Sequence, residues 1–333
     1  MPSDYRVFGA ELSPYSVKVR SYLRFKKLPH EWIVRNASNA AEFGARAKLP
    51  LIPLVITPDD RALQDSTPIL ETLEAEHPEP SIHPADPALA FLSALLEEYG
   101  DEWGNKSMFH YRWWYEPDRK SAGQRLAEAN APAGTPADTV AALAAQIAQR
   151  MVPRLSFVGS SEKTKALIEA SLADTVALLE AHLRNRKYLF GGRPAFADFG
   201  VWPQLYECWT DPTPGALIRE RAPAVSAWIE RMLDPKVEGG FEPWSALAPT
   251  LEPLLTREVA GRFLPWSDAN AKALAAGQAE LEVELDGQPF SQQPQKYHAR
   301  SLAVLRARYT AVSDKTALDP VLERTGCLRW LRS

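Results

Sequence analysis

Residues 13–20, Ser13-Pro14-Tyr15-Ser16-Val17-Lys18-Val19-Arg20, stand between a short apolar run over residues 5–10 and an apolar-periodic stretch that reaches Leu23. Serine is a preferred N-cap and proline is pre-organised for the first helical position, so this stretch predicts a strand-to-helix junction with the helix starting at Pro14. A helix start presents unpaired backbone donors carrying partial positive charge, a setting that holds anions, thiolates among them. Ser13 is therefore either a structural cap or the polar group of an anion site.

Working outward, the helix over residues 14–25 carries Val19, Tyr22 and Leu23 on its apolar face and ends at Lys26, Lys27 and Pro29. Residues 31–35 alternate like a half-buried strand, and residues 40–47 suit a short helix. Residues 49–57 read as a strand with proline near its start, followed by a Pro58-Asp59-Asp60 turn, a strand over residues 62–64 and a helix over residues 67–76. The order is strand, helix, strand, helix, strand, strand, helix. That is too small for a doubly wound nucleotide fold, and it lacks a glycine-rich phosphate loop.

The whole chain has 333 residues, 45% of them apolar, with a net charge of -4. Such a length predicts two domains and an appendage. The charge shows no basic excess that would suit nucleic acid, and no apolar run approaches the roughly 18 residues of a membrane span. Met1-Pro2-Ser3-Asp4 has no basic and apolar leader, so a cytoplasmic location is expected. Cys208 and Cys327 are solitary, which argues against a metal site of the usual spacing or a CxxC pair. Redox or thiol chemistry must borrow its sulfur from elsewhere.

Three separated motifs now fall in one register: the Ser13-Pro14-Tyr15-Ser16 helix start, Pro53 entering the third strand, and Gln64-Asp65-Ser66 opening the last helix. With the order of elements, they resemble the thioredoxin-like glutathione-binding domain of the cytosolic glutathione transferases. The resemblance implies a cis peptide before Pro53 that frees the backbone of Ile52 to pair with the cysteinyl backbone of glutathione. It also implies that Asp65 and Ser66 receive the γ-glutamyl end, the carboxylate at the hydroxyl and helix amides, the ammonium at Asp65. Read from the residues alone, Asp65 or Ser66 is equally an N-cap before Thr67-Pro68. Ser13 matches the position where serine-type members keep the hydroxyl that stabilises the thiolate, with Tyr15 and Ser16 as nearby alternates.

After a proline-rich connector over residues 77–87 the pattern turns helical, as the all-helical second domain of that family implies. Residues 88–103 are amphipathic and lead into the most aromatic stretch of the chain, residues 108–115. The resemblance makes Tyr15, His110, Tyr111, Arg112 and Trp114 the candidates to bind an apolar electrophile; aromatics at helical spacing also suit a core. Pro117-Asp118 is expected to end that helix, residues 129–136 to form a loop, and residues 137–151 a helix that suits a lid. Residues 162–184 form a clear helix. The stretch over residues 188–199 resembles the family's structural capping motif, with Asp198 present but Ala195 at the capping position; Asp198 is structural. Residues 201–209 and 217–233 follow as helices, the resemblance covering about 235 residues.

Residues 242–333 have no counterpart in that resemblance. They contain a proline-rich passage to Trp266, a helix from Asp268, a hairpin turning at Asp286-Gly287, and a basic helix over residues 297–312 whose Arg300, Arg306 and Arg308 suit a solvated face. The expected architecture is an α/β thioredoxin-like domain over residues 1–80, an all-α domain over residues 88–241 and a mostly helical extension over residues 242–333. The expected function is that of a homodimeric glutathione transferase without metal, in which Ser13 activates the thiol of glutathione toward a hydrophobic electrophile. The alternative is a non-catalytic binding or scaffold protein of the same fold that uses its extension as the interaction surface.

Overall fold

The first domain is laid out around β1 (Tyr5–Gly9), an inner strand paired in parallel with β2 (His30–Val34) and antiparallel with β3 (Leu54–Ile56). β3 pairs antiparallel with β4 (Ala62–Gln64), giving the order β2-β1-β3-β4. The computed structural model describes residues 4–132 and 134–332; the expectation about a leader, which rests on Met1-Pro2-Ser3, lies outside them. Side chains alternate across the sheet, as the two-residue period requires. Tyr5, Val7 and Val55 face α1 (Pro14–Phe25) and α3 (Ser66–Glu76) through Val17, Leu23, Ile69 and Leu73. Phe8, Leu54 and Ile56 face Phe43 of α2 (Ala40–Arg46) on the other side.

The register decides where a site can form. Phe8 stands opposite Leu54, and Leu54 opposite Gln64. The chain leaving β1 toward Ser13, the chain entering β3 through Ile52-Pro53, and the start of α3 at Asp65-Ser66 therefore meet at one edge of the sheet.

The third strand is shorter than its composition suggests. Residues 48–51 are bound by the Gln64 side chain, whose Oε1 accepts from the N–H groups of Lys48 and Leu49 at 2.7 and 3.0 Å. Its Nε2 donates to the carbonyls of Leu49 and Leu51, both at 2.8 Å. One amide side chain thus takes the hydrogen bonds that a ladder would have taken, and Leu49 and Leu51 are left exposed.

The helical part begins with α4 (Pro87–Tyr99), passes through a π-helical turn (Gly100–Gly104) and continues as α5 (Asn105–Trp114), α6 (Glu116–Asn130) and α7 (Ala137–Met151). Pro117 lies in the first turn of α6, so it opens a helix as well as following one; a missing N–H costs nothing there. A 3-10 segment (Val152–Val158) leads to α8 (Lys165–Leu183), and α9 (Phe196–Thr210) runs through the middle, packed on α4, α1 and α5. The α4–α9 crossing is close: a Cβ on Gly200 would stand 2.5 Å from the Glu97 Cα, and one on Gly100 2.5 Å from the Gly200 backbone. The single helix expected over residues 217–233 is two, α10 (Pro212–Arg221) and α11 (Pro223–Arg231), divided where Pro223 cannot continue the first. At the head of α9 the buried Asp198 carboxylate accepts from the N–H groups of Ala195 and Leu189 and from Trp228 Nε1, so half of the capping arrangement survives without a hydroxyl at Ala195.

The proline-rich passage of the extension is helical. α12 (Trp244–Leu254), a π segment (Leu255–Phe263) and α13 (Leu264–Ala275) follow without a break. Pro249 and Pro253 stand four residues apart within α12, on its exposed side. β5 (Leu281–Leu285) and β6 (Gln288–Gln292) form a hairpin turning through Asp286 and Gly287, with φ of 53° and 70°; this left-handed pair suits a tight hairpin turn. α14 (Lys296–Ala311), α15 (Leu318–Arg324) and α16 (Leu328–Leu331) complete the chain. Leu247, Phe263, Trp266, Leu302 and Leu305 join the same apolar cluster as α4 and α9, so the extension is part of the core and not a tail. No helix among the described residues is long and apolar enough to cross a membrane.

Candidate functional site

At the edge defined by the register, Ser13 caps α1. Its Oγ accepts from the Ser16 hydroxyl at 3.0 Å and from the Ser16 N–H at 3.3 Å. Both contacts use the oxygen's lone pairs, so the Ser13 hydroxyl hydrogen is left to donate outward. Two donors onto one oxygen also polarise its O–H bond and strengthen it as a donor.

Ile52 leads into β3, and the Ile52–Pro53 bond is cis. Pro53 is buried and Ile52 half-buried. Among the described residues no protein group is hydrogen-bonded to the Ile52 N–H or C=O. A half-buried backbone donor and acceptor side by side is what an extended peptide needs to add one short β-type pairing.

Asp65 is the residue before α3 and has φ 76° and ψ 123°, a left-handed backbone for a non-glycine residue. Its carboxylate does not cap its own helix. Instead Oδ1 accepts from the Tyr297 hydroxyl at 2.9 Å, and burial raises the Asp65 carboxyl above its ordinary range. Ser66 is buried, with its hydroxyl directed at Asp101 Oδ2 at 3.5 Å.

Beneath these groups lies Lys18, fully buried. Its ammonium donates to Glu97 at 2.6 Å, Asp101 at 2.5 Å and Thr67 at 2.9 Å. Burial pushes this ammonium down, but the Asp101 and Glu97 carboxylates outweigh it and hold the group charged. Lys18 thereby pins α1 and α3 to α4 directly under the candidate site.

Tyr15 turns inward. Its hydroxyl donates to the Asp101 carbonyl and accepts from Asn105 Nδ2, both at 3.1 Å. Burial, with Glu102 and Asp101 nearby, raises its pKa well above the ordinary value, so it is a neutral anchor between the domains. The two cysteines are both buried, and burial pushes their thiols up, that of Cys327 to about 12. Neither supplies a thiolate near neutral pH. Among the described residues no group of His, Cys, Asp and Glu is arranged to hold a metal ion.

Of the aromatic stretch, His110 is enclosed, with Nδ1 2.7 Å from Ser160 Oγ and Nε2 3.2 Å from Glu169, to which Tyr115 also donates at 2.6 Å. Burial lowers the His110 pKa, so the ring is neutral near pH 7. Tyr111 is buried and stacks on Tyr115. Arg112 is buried between Glu207 at 2.6 Å and Asp211 at 2.8 Å. These three are packing and ion-pair groups. Arg112 still reaches the site indirectly, since its Nη1 donates to the Leu12 carbonyl at 2.9 Å and so fixes the loop one residue before Ser13. Trp114 is half-buried, stacked obliquely on His110, and joins Leu12 and Phe109 around the cluster of α6 and α7.

Sequence reasoning assigns no role to Lys18 or Tyr297, and takes Gln64 only as part of the motif that opens the last helix. Lys18 sits beside the apolar positions Val17 and Val19, a signal for burial only once its partners Glu97 and Asp101, four residues apart, are placed opposite. Tyr297 lies 232 residues from Asp65 and no local pattern links them.

This sheet, with a helix N-terminus and a free strand-like backbone at one edge and an all-helical domain beside it, defines a thioredoxin-like protein with a helical partner domain. The model for the glutathione S-transferase N-terminal domain matches residues 7–81, and that for the C-terminal domain matches residues 140–231. Together they span about half of the chain, which belongs to the glutathione S-transferase superfamily. No curated protein matches the chain. Among solved structures, a glutathione S-transferase from Methylobacterium radiotolerans in complex with glutathione sulfonate is 22% identical, with 74% of this chain and 94% of that one covered at a TM-score of 0.41. The β-etherase LigF from Sphingobium is 19% identical, with 74% and 98% covered at a TM-score of 0.46. Maleylacetoacetate isomerase from Anaeromyxobacter dehalogenans with bound glutathione is 21% identical, with 69% and 94% covered at a TM-score of 0.37.

Proposed function

We propose that the protein is a serine-type glutathione transferase: it binds glutathione along the edge formed by Ser13, Ile52-Pro53 and Asp65-Ser66, and lowers the pKa of its thiol for attack on an apolar electrophile. The observation that carries this is the Ser13 hydroxyl, which stands at the start of α1 and accepts twice from Ser16, keeping its own hydrogen to donate. The Ile52 N–H and C=O pair with the cysteinyl backbone of the tripeptide. The α3 N-terminus takes the γ-glutamyl carboxylate and Asp65 its ammonium. The thiolate then faces Ser13 and the partial charge of the α1 N-terminus. With both protein thiols buried and protonated, the reacting sulfur is that of glutathione. Lowering a thiol from about 8.5 by two units needs about 2.7 kcal/mol, which one hydrogen bond to the thiolate plus a helix N-terminus can supply. Trp114 and Phe109, which pack on the same apolar cluster as Leu12 in the Ser13 loop, form the wall on which the electrophile rests.

Thiolate absorbance of the complex, followed against pH, tests this. A bound thiol pKa well below that of free glutathione is expected, with Ser13→Ala raising it by about one to two units and lowering kcat/KM about ten- to a hundredfold. Absence of glutathione binding, or an unshifted thiol indifferent to Ser13→Ala, overturns the reading.

A further inference from the structure

The extension reaches the candidate site through Tyr297. Tyr297, in the first turn of α14, donates its hydroxyl to Asp65 Oδ1 at 2.9 Å. Residue 297 lies outside both stretches that the family models match, so this contact comes from beyond the matched domains. α14 is held where it makes the contact. His298 meets Glu102, Ser301 donates to Glu98 and Arg308 pairs with Glu71, joining α14 to α3 and to α4 with its π-helical continuation. Just before α14, Gln295 and Asn270 exchange two hydrogen bonds of 2.8 and 2.9 Å, which fix the angle at which the helix departs from α13. The His298 ring also packs edge-on against Trp266, 4.7 Å between centroids.

Asp65 needs such support. Its backbone is in the left-handed region, its side chain makes no cap bond to its own helix, and its carboxylate has no other hydrogen-bond partner among the described residues. Tyr297 is the donor in this contact, since a phenol is protonated near neutral pH and the oxygen it faces belongs to a carboxylate. A carboxylate fixed through Oδ1 keeps Oδ2 for a second donor.

Resting on the glutathione reading above, we infer that Tyr297 is a positioning residue of the tripeptide site: it holds the Asp65 carboxylate so that Oδ2 receives the γ-glutamyl ammonium of glutathione. The extension thereby sets selectivity for an amino-bearing γ-glutamyl ligand without touching the thiol.

The experiment measures, by titration calorimetry on the full chain, the affinities of wild type, Tyr297→Phe, Asp65→Asn and the double variant for glutathione and for its analogue lacking the α-amino group. Tyr297→Phe is expected to weaken glutathione about tenfold while leaving the deaminated analogue unchanged. In the Asp65→Asn background it is expected to add almost nothing, because the two changes remove one device. The thiol pKa in the complex is expected to be the same with and without the phenol oxygen. Equal weakening of both ligands shows a merely structural contact, tighter glutathione binding shows that Tyr297 competes with the ammonium, and an unchanged affinity shows no role; each overturns the inference while the glutathione reading stands. Failure of wild type to bind glutathione at about 10 mM overturns that reading and this one with it.

Discussion

At the scale of the residue, the candidate site depends on how one hydroxyl's three hydrogen-bonding directions are used. Ser13 alone is a cap, and a cap of this kind occurs at very many helix starts. Ser16 changes its character by filling both acceptor directions of Oγ, through its hydroxyl and its N–H. If that arrangement makes Ser13 a donor to the thiolate, then Ser16→Ala should weaken the donor without removing it. The expected outcome is a rise of about half a unit to one unit in the bound thiol pKa, smaller than for Ser13→Ala, with glutathione affinity at low pH unaltered. Thiolate absorbance of the two variants side by side checks the order; a larger effect for Ser16→Ala places the donor at residue 16 instead. The helix start at Ser13-Pro14 and the cis bond before Pro53 were legible in the sequence, because a cap and a proline act on their own backbone. Lys18 and Tyr297 were not, because their roles arise from partners 79 to 232 residues away.

Among the elements, legibility follows locality in the same way. β1 and α3 are set by period, α1 by period and the Ser13 cap, and the hairpin by Asp286-Gly287. The third strand was overestimated because a glutamine amide, acting from residue 64, replaces ladder bonds at residues 48–51. The run from α12 to α13 was underestimated because its prolines fall on a solvent face, a fact only packing reveals. Arg306 and Arg308 were read as solvated, yet the first pairs with Asp268 at 2.8 Å and the second with Glu71, so α14 is fastened by its basic residues. Another element-scale contact has a pH signature. His182 on α8 is fully buried, donating from Nε2 to the Leu189 carbonyl at 2.9 Å, with Nδ1 2.7 Å from Thr250 Oγ on α12. Burial pulls its pKa down from 6.5 to about 4. Between those values the unfolded chain holds a proton that the folded chain does not, so stability is full above 6.5 and falls as pH drops toward 4. By the lower value this amounts to about 3 kcal/mol, from the pKa difference at about 1.4 kcal/mol per unit. In His182→Gln that share of the acid sensitivity should vanish. Urea midpoints of both proteins near pH 7 and pH 4.5 check it: the gap between them should narrow as the solution is acidified.

The whole molecule is tied together beneath its site. The Lys18 ammonium joins α1 and Thr67 of α3 on one side to Glu97 and to Asp101, beyond the end of α4, on the other. This contact therefore couples the thioredoxin-like domain to the helical one at the level of Ser66. A buried cluster of an ammonium and two carboxyl groups is not in itself a stabilising device, since desolvation offsets much of their attraction, and burial pushes the Asp101 carboxyl up to about 8. What it does is make the relative placement of the two domains specific, because any shift strands a buried charge. Lys18→Met should accordingly cost about 3–5 kcal/mol, since it leaves two buried carboxylates without their cation. The triple variant Lys18→Met, Glu97→Gln, Asp101→Asn should recover most of that loss, because no charge then remains to be buried unpaired. Its glutathione affinity should nonetheless stay below wild type, because the hydroxyl of Ser66 would face a neutral amide and α3 would lose its fixed position against α4. Urea unfolding and calorimetric glutathione titration of the three proteins check both halves. Recovered stability with unrecovered binding assigns Lys18 to domain placement; recovery of both assigns it to stability alone.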